Sequence, residues 1–228
     1  LIVQNMLLMS RMKNKYMKIS NKTKLMNGNG RKQRMKKFLT RIPLQVIGNL
    51  KRMKYIAAEN EKLQMESLVS FPILTAINGF VQDGEAFEIL AVVADSPAEE
   101  CNFQELCKQV HELFEKNKGR IEIKKITIEA SQGLSEQVGT FQKLIDEIED
   151  DDELFVCMTF GTKPQSQVMV MAAQYAYRVK DNVSIQCVLY GEIDRSQGVE
   201  NAVARVYDMT GLVQLDEAVR ILGERKVR

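Results

Sequence analysis

Tryptophan is absent from the 228 residues, and histidine occurs once, as His111. With one imidazole, zinc sets that need two histidines are excluded. The four cysteines form no Cys-x-x-Cys, and Cys101 and Cys107 stand six apart on an expected helix, so neither structural zinc nor a disulfide frame is indicated. Free thiols fit a reducing, cytoplasmic setting. No apolar run approaches the roughly 20 residues needed to cross a bilayer, so no membrane partner is expected. Residues 1–58 lack acidic side chains entirely while holding 15 Lys and Arg. The remaining 17 Lys and Arg face all 30 Asp and Glu, so residues 59–228 carry a net −13. An acidic body does not coat nucleic acid, and any anion site on it must be local.

What is present sorts into three segments. Residues 1–34 form a basic leader of Lys, Arg, Asn and Met. Its apolar start (LIVQNMLLMS) precedes the charge, the reverse of a secretory signal. The composition reads as a disordered leader. Residues 35–222 carry the periodic patterns of a folded domain, and 223–228 read as a short tail.

Strands are expected over Met35–Ile42, Ala86–Ala94, Arg120–Ile128, Leu154–Met158 and Val183–Tyr190, with a possible sixth over Val203–Asp208. Helical periods run over Leu63–Phe80, with Pro72 expected to kink or split it, and over Asn102–Lys118, Ser135–Glu149, Gln165–Val179 and Gln214–Leu222. Residues 51–60 read as irregular, and Asp150–Glu153 as a solvated acidic turn. The alternation of strand and helix implies an α/β, Rossmann-like fold: a mostly parallel sheet of five to six strands with helices on both faces.

The chemically richest stretch follows the fourth strand. Thr159, Phe160, Gly161, Thr162, Lys163, Pro164 and Gln165 join it to the next helix. Two hydroxyls, one ammonium and the free N–H groups of a helix start are gathered there, a ready site for phosphate. Pro164 suits a first helical turn, where its missing N–H costs nothing. The loop is no Walker A motif: Val156 stands five before Gly161 and Pro164 follows Lys163. A strand order of third, second, first, fourth, fifth, sixth would make the first and fourth strands neighbours. The cleft at their carboxyl ends is then the topological switch point, where such sheets bind ligands. Thr40, Arg41 and Gln45 come from the first-strand loop, and Thr159–Gln165 from the fourth.

The run Cys157-Met158-Thr159-Phe160-Gly161-Thr162-Lys163 resembles the fourth-strand motif of CARF domains, the CRISPR-associated Rossmann folds. That motif is Asn or Asp, any residue, Ser or Thr, three of any kind, then Lys or Arg. The hydroxyl and cation match, and Cys157 replaces the leading Asn or Asp. Tyr207-Asp208-Met209-Thr210 is similar to a segment near the end of such domains, and the resemblance spans about Met35–Leu222. It implies a homodimer binding a cyclic oligoadenylate across its two-fold axis, in type III CRISPR antiviral defence. It implies phosphate contacts from Lys163, Thr159 and Thr162, with Arg41 as a second cation.

No metal or resident cofactor is expected, and no catalytic residue is assigned. The Arg-x-x-x-x-His ribonuclease motif of CARF effectors is absent, because Leu106 stands five before His111. A pure sensor and a metal-independent ring nuclease both remain open, the latter needing only alignment and charge stabilisation. A Rossmann-type mononucleotide- or dinucleotide-binding protein is the alternative from another class, although TRIPLQ after the first strand is no glycine fingerprint. Sequence-specific DNA binding is not expected, since no helix-turn-helix pattern is present.

Overall fold

The computed structural model describes residues 34–44, 51–196, 198 and 200–226. The basic leader therefore lies outside the described residues except for Arg34, which pairs with Glu153 at 3.6 Å.

In chain order the strands are β1 (Lys36–Arg41), β2 (Tyr55–Ala57), β3 (Phe87–Ala94), β4 (Ile121–Ile128), β5 (Glu153–Cys157), β6 (Ser184–Asp194) and β7 (Val203–Asp208). The helices are α1 (Ile73–Phe80), α2 (Pro97–Phe114), α3 (Leu134–Glu147), α4 (Lys163–Val179) and α5 (Thr210–Lys226). They build one seven-stranded sheet of order β4-β3-β1-β5-β6-β7-β2, in which only the β6–β7 pair is antiparallel. The six expected strands stand in the expected order. The seventh, β2, falls in the stretch read as irregular. Its three residues carry no periodicity of their own, and it exists because β7 offers a free edge.

Two apolar layers follow from the period-two alternation of the strands. Phe38, Phe87, Ile89, Ala91 and Phe155 face a core shared with Ile73, Leu74 and Ile77 of α1 and Phe103, Leu106 and Val110 of α2. Leu39, Leu90, Val92, Leu154 and Val156 are buried on the opposite side, with Leu144 and Ile145 of α3 and Met169, Ala172, Ala173 and Ala176 of α4 available to cover them. Phe38 and Phe155 sit opposite each other in the β1–β5 register and stack at 4.4 Å between ring centroids.

Four expectations are corrected. The helical period over Leu63–Phe80 yields only a 3-10 turn at Glu61–Leu63 and the short α1. Pro72 cannot sit inside a helix, and Val69 instead bridges Met53 in antiparallel fashion. Helix α2 begins five residues before the expected Asn102, because Ser96 caps it through the Glu99 N–H at 3.2 Å and Pro97 fits its first turn. Residues 223–226 continue α5 rather than forming a tail.

The acidic turn is not wholly solvated. Asp152 is 3% exposed, accepts the Glu149 N–H at 2.6 Å and lies 3.3 Å from the Lys37 ammonium, which also reaches Glu88 at 2.9 Å. This charge cluster locks the amino ends of β1, β3 and β5, the edge of the sheet opposite the switch point.

Candidate functional site

The switch point is realised by β1 and β5 lying side by side in parallel, with β3, which the chain reaches from β1 by way of the edge strand β2, on one side of the pair and β6, which follows β5, on the other. The loop from Met158 to Thr162 leaves the carboxyl end of β5 there and enters α4.

Gly161 makes the turn possible. Its φ is 93°, in the left-handed region, and a Cβ at this position would come within 2.7 Å of Arg41 Cγ. Thr162 is the extended N-cap residue of α4, with Lys163 and Pro164 in the first turn. Gln165, buried beneath, accepts the Thr162 N–H at 3.1 Å through Oε1, as the third-position residue of a capping box does. The same Oε1 accepts Arg41 Nε–H at 3.2 Å, which ties the helix start to β1. Ser166 adds a tether by donating its hydroxyl to the Met158 carbonyl at 3.2 Å.

The nine residues singled out in the sequence separate into distinct layers. Gly161, Thr162 and Lys163 are exposed and form the tip. Thr159 and Phe160 are half-buried. The Thr159 hydroxyl accepts the Gly191 N–H at 2.7 Å and lies 3.2 Å from Cys157 Sγ, so it anchors the loop to β6. The Phe160 ring meets Phe71 edge-on at 6.2 Å. Thr40, Arg41 and Gln165 are buried under the loop. Gln45 lies outside the described residues.

Arg41 does not present a second cation to the cleft. Its guanidinium is 3% exposed and forks onto Glu99, with Nη2 to Oε1 at 2.7 Å and Nη1 to Oε2. Nη1 also donates to the carbonyls of Ile42 at 2.6 Å and Val92 at 3.0 Å. Arg41 thus neutralises Glu99 and clamps the ends of β1 and β3 below the loop. The positive charge offered outward is that of Lys163. Among the described residues no carboxylate lies within ion-pair distance of its ammonium.

Two residues of this arrangement escaped the sequence reading. Glu99 was legible as the fourth residue of Ser96-Pro97-Ala98-Glu99, a helix-start pattern, but nothing local points its carboxylate toward Arg41. Gln132, in the loop after β4, accepts the Thr162 hydroxyl at 2.5 Å, and no local signal marks it.

The loop is equipped for anion binding rather than for proton transfer. It contains no His, Asp or Glu. Burial pushes the Cys157 thiol up, so it is no thiolate nucleophile near neutral pH. His111 is exposed on α2. Among the described residues no group of three His, Cys, Asp or Glu could hold a metal ion, and no helix is long and apolar enough to cross a membrane. An open groove of about 330 Å³ lies between the end of α2 and the edge strand β4, lined by Cys107, His111, Phe114 and Ile123 among others. It shares no residue with the loop and converges no charged cluster, so the loop carries the stronger claim. Compared with known protein-family models the chain matches none, and no curated protein is significantly similar to it.

Proposed function

We propose that this chain is a sensor of the type III CRISPR antiviral response, acting in the cytoplasm as a homodimer that binds a cyclic oligoadenylate. The observation that carries the reading is the position of the Thr159–Lys163 loop. A hydroxyl, an exposed ammonium and a helix start stand together at the switch point between β1 and β5, within the motif that resembles CARF domains. The ligand carries one negative charge per nucleotide in a symmetric ring, and a two-fold dimer would offer each loop twice. The acidic body around an outward Lys163 favours a compact anion held locally over a long polyanion. The four cysteines are all free, in keeping with a reducing compartment.

Calorimetric titration with cyclic tri-, tetra- and hexa-adenylate tests this reading. A charge-assisted hydrogen bond to phosphate contributes roughly 1.5–3 kcal/mol. With two copies of the loop on one ring, Lys163→Ala is expected to weaken binding by about 100-fold or more. Its melting temperature should stay near that of the parent, since Lys163 is exposed. Equal affinities would remove Lys163 from the site. No binding of any ring by the parent chain would refute the sensor reading. Linear products after incubation would turn it toward a ring nuclease.

A further inference from the structure

Strand β6 outruns its neighbour β5. The two pair as far as Cys157 and Leu189, and β6 continues through Tyr190–Asp194 alongside β7. One face of this overhang is closed, with Leu189, Gly191, Val206, Ala204 and Tyr55 all buried. The other face is bare. Tyr190 stands opposite Tyr207 in the register, and Glu192 opposite Arg205, which has Ile56 of β2 on its far side. Tyr190 is 39% exposed, Ile56 47%, and Glu192 is exposed as well. Helix α5 leads away from this face. It starts against Val188, whose carbonyl accepts the Met209 N–H at 2.6 Å and whose N–H donates to the Thr210 hydroxyl at 2.9 Å. From there it runs toward Arg178, near the far end of α4.

The bare shelf adjoins the switch-point loop. The Leu189 carbonyl accepts the Met158 N–H at 2.8 Å, and the Gly191 N–H donates to the Thr159 hydroxyl at 2.7 Å. Tyr190 sits between these two ties, about 5 Å, one strand spacing, from the loop backbone. Leu189 packs into the core on the α1 side, and a Cβ on Gly191 would meet Pro72 there. By alternation Tyr190 projects from the opposite face, the one α4 covers. Shelf and α4 start therefore share one face and one end of the sheet. Among the described residues no hydrogen bond or ring contact engages the Tyr190 side chain.

Resting on the sensor reading, we infer that this shelf takes the adenine base of the nucleotide whose phosphate lies at the loop, the base stacking on Tyr190 beside Tyr207 while Glu192 accepts its exocyclic amine. Aromatic rings bind bases through their faces, and cross-strand neighbours such as Tyr190 and Tyr207 have their Cβ atoms only about 5 Å apart. The Tyr207 hydroxyl donates to Glu192 Oε2 at 3.0 Å, which fixes the carboxylate and leaves Oε1 for the ligand. A carboxylate only accepts hydrogen bonds, so it suits the amine of adenine and opposes the carbonyl that hypoxanthine carries in its place. The charges separate base from phosphate. Arg205 lies 3.6 Å from Asp194 and is matched by it, so Glu192 leaves the shelf net negative. The shelf repels phosphate and admits an uncharged ring, while Lys163 attracts the phosphate at the loop.

Titration of the full chain with cyclic tetra- and hexa-adenylate, the corresponding inosine rings and adenosine monophosphate tests the shelf. Tyr190→Leu is expected to bind the adenylate ring about 10-fold or more weakly than the parent, and Tyr190→Phe, which keeps the ring face, close to the parent. Glu192→Gln is expected to lose most of the preference for adenine over hypoxanthine, because an amide can also donate. All three variants should melt near the parent, since both side chains are exposed. Ring binding that depends on Lys163 but is indifferent to Tyr190→Leu overturns the shelf and leaves the sensor reading standing. An unchanged base preference in Glu192→Gln overturns its part in reading the base. Adenosine monophosphate bound through Tyr190, with no ring bound, upholds the shelf and refutes the sensor reading. A parent that binds neither overturns both.

Discussion

Replacing Glu99 with alanine removes the counter-charge of Arg41 at a place where water cannot substitute for it. Glu99 is 1% exposed, and its carboxylate receives the forked guanidinium and the Ala94 N–H, the latter at 2.5 Å. The alanine variant leaves a buried cation without its counter-charge, held only by neutral acceptors, and a buried backbone donor without a partner. Breaking a buried pair from one side costs about 3–5 kcal/mol. For a domain of this size that lowers the melting temperature by roughly 6–20 °C. The lost charge is one of two groups, and a double-mutant cycle separates them. Arg41→Met alone should be costly, since it orphans Glu99 and frees the carbonyls of Ile42 and Val92. Arg41→Met with Glu99→Leu should cost less than the sum of the two single changes, because no charge is then left buried. Urea unfolding followed by circular dichroism is the suitable assay, the chain having no tryptophan to report by fluorescence. A Glu99→Ala variant within about 1 kcal/mol of the parent would refute the reasoning, as would strict additivity of the double variant.

Gly161→Ala should destabilise by about 1–3 kcal/mol, because φ of 93° strains any residue with a Cβ and the new methyl meets Arg41 Cγ, and the change should read out in the same urea assay. Asp152 gives a pH effect of opposite sign to an ordinary salt-bridged carboxylate. Desolvation outweighs the nearby Lys37 ammonium and raises its pKa from 3.8 to about 6. The folded chain therefore holds this proton more tightly than the unfolded chain does. The resulting stabilisation is complete below pH 3.8 and is lost as pH rises through 6. Asp152→Asn should thus gain about 2 kcal/mol relative to the parent between pH 4 and pH 7, and urea midpoints whose difference does not change over that range would show the carboxyl to be unperturbed.

The architecture was legible because its signals are local. Alternating isoleucines mark β4, an unbroken apolar run marks β3, and helical periods mark α3 and α4 within single windows of sequence. The loop from Thr159 to Gln165 was legible for the same reason, since its proline, glycine and hydroxyls act on their own backbone. Pro72 also announced a break, but not that the residues before it would become extended; that depended on Met53 being available to pair with Val69.

Tertiary structure decided what each polar side chain is for. Arg41 and Lys163 are both cations near the same cleft, and only one faces outward. The difference is Glu99, 58 residues from Arg41 in the chain and brought beneath it by the β1–β3 pairing and the start of α2. Asp152 is one of five adjacent acids, Glu149 to Glu153, and the packing of β1 and β3 put Lys37 and Glu88 around it alone. The sequence by itself set the elements, their order and the composition of the loop, because backbone preference and apolar period act over a few residues. Which charges are buried, which are matched and which are left for a partner was decided only by the fold, because an ion pair depends on distance in space and the chain's local pattern carries no record of it.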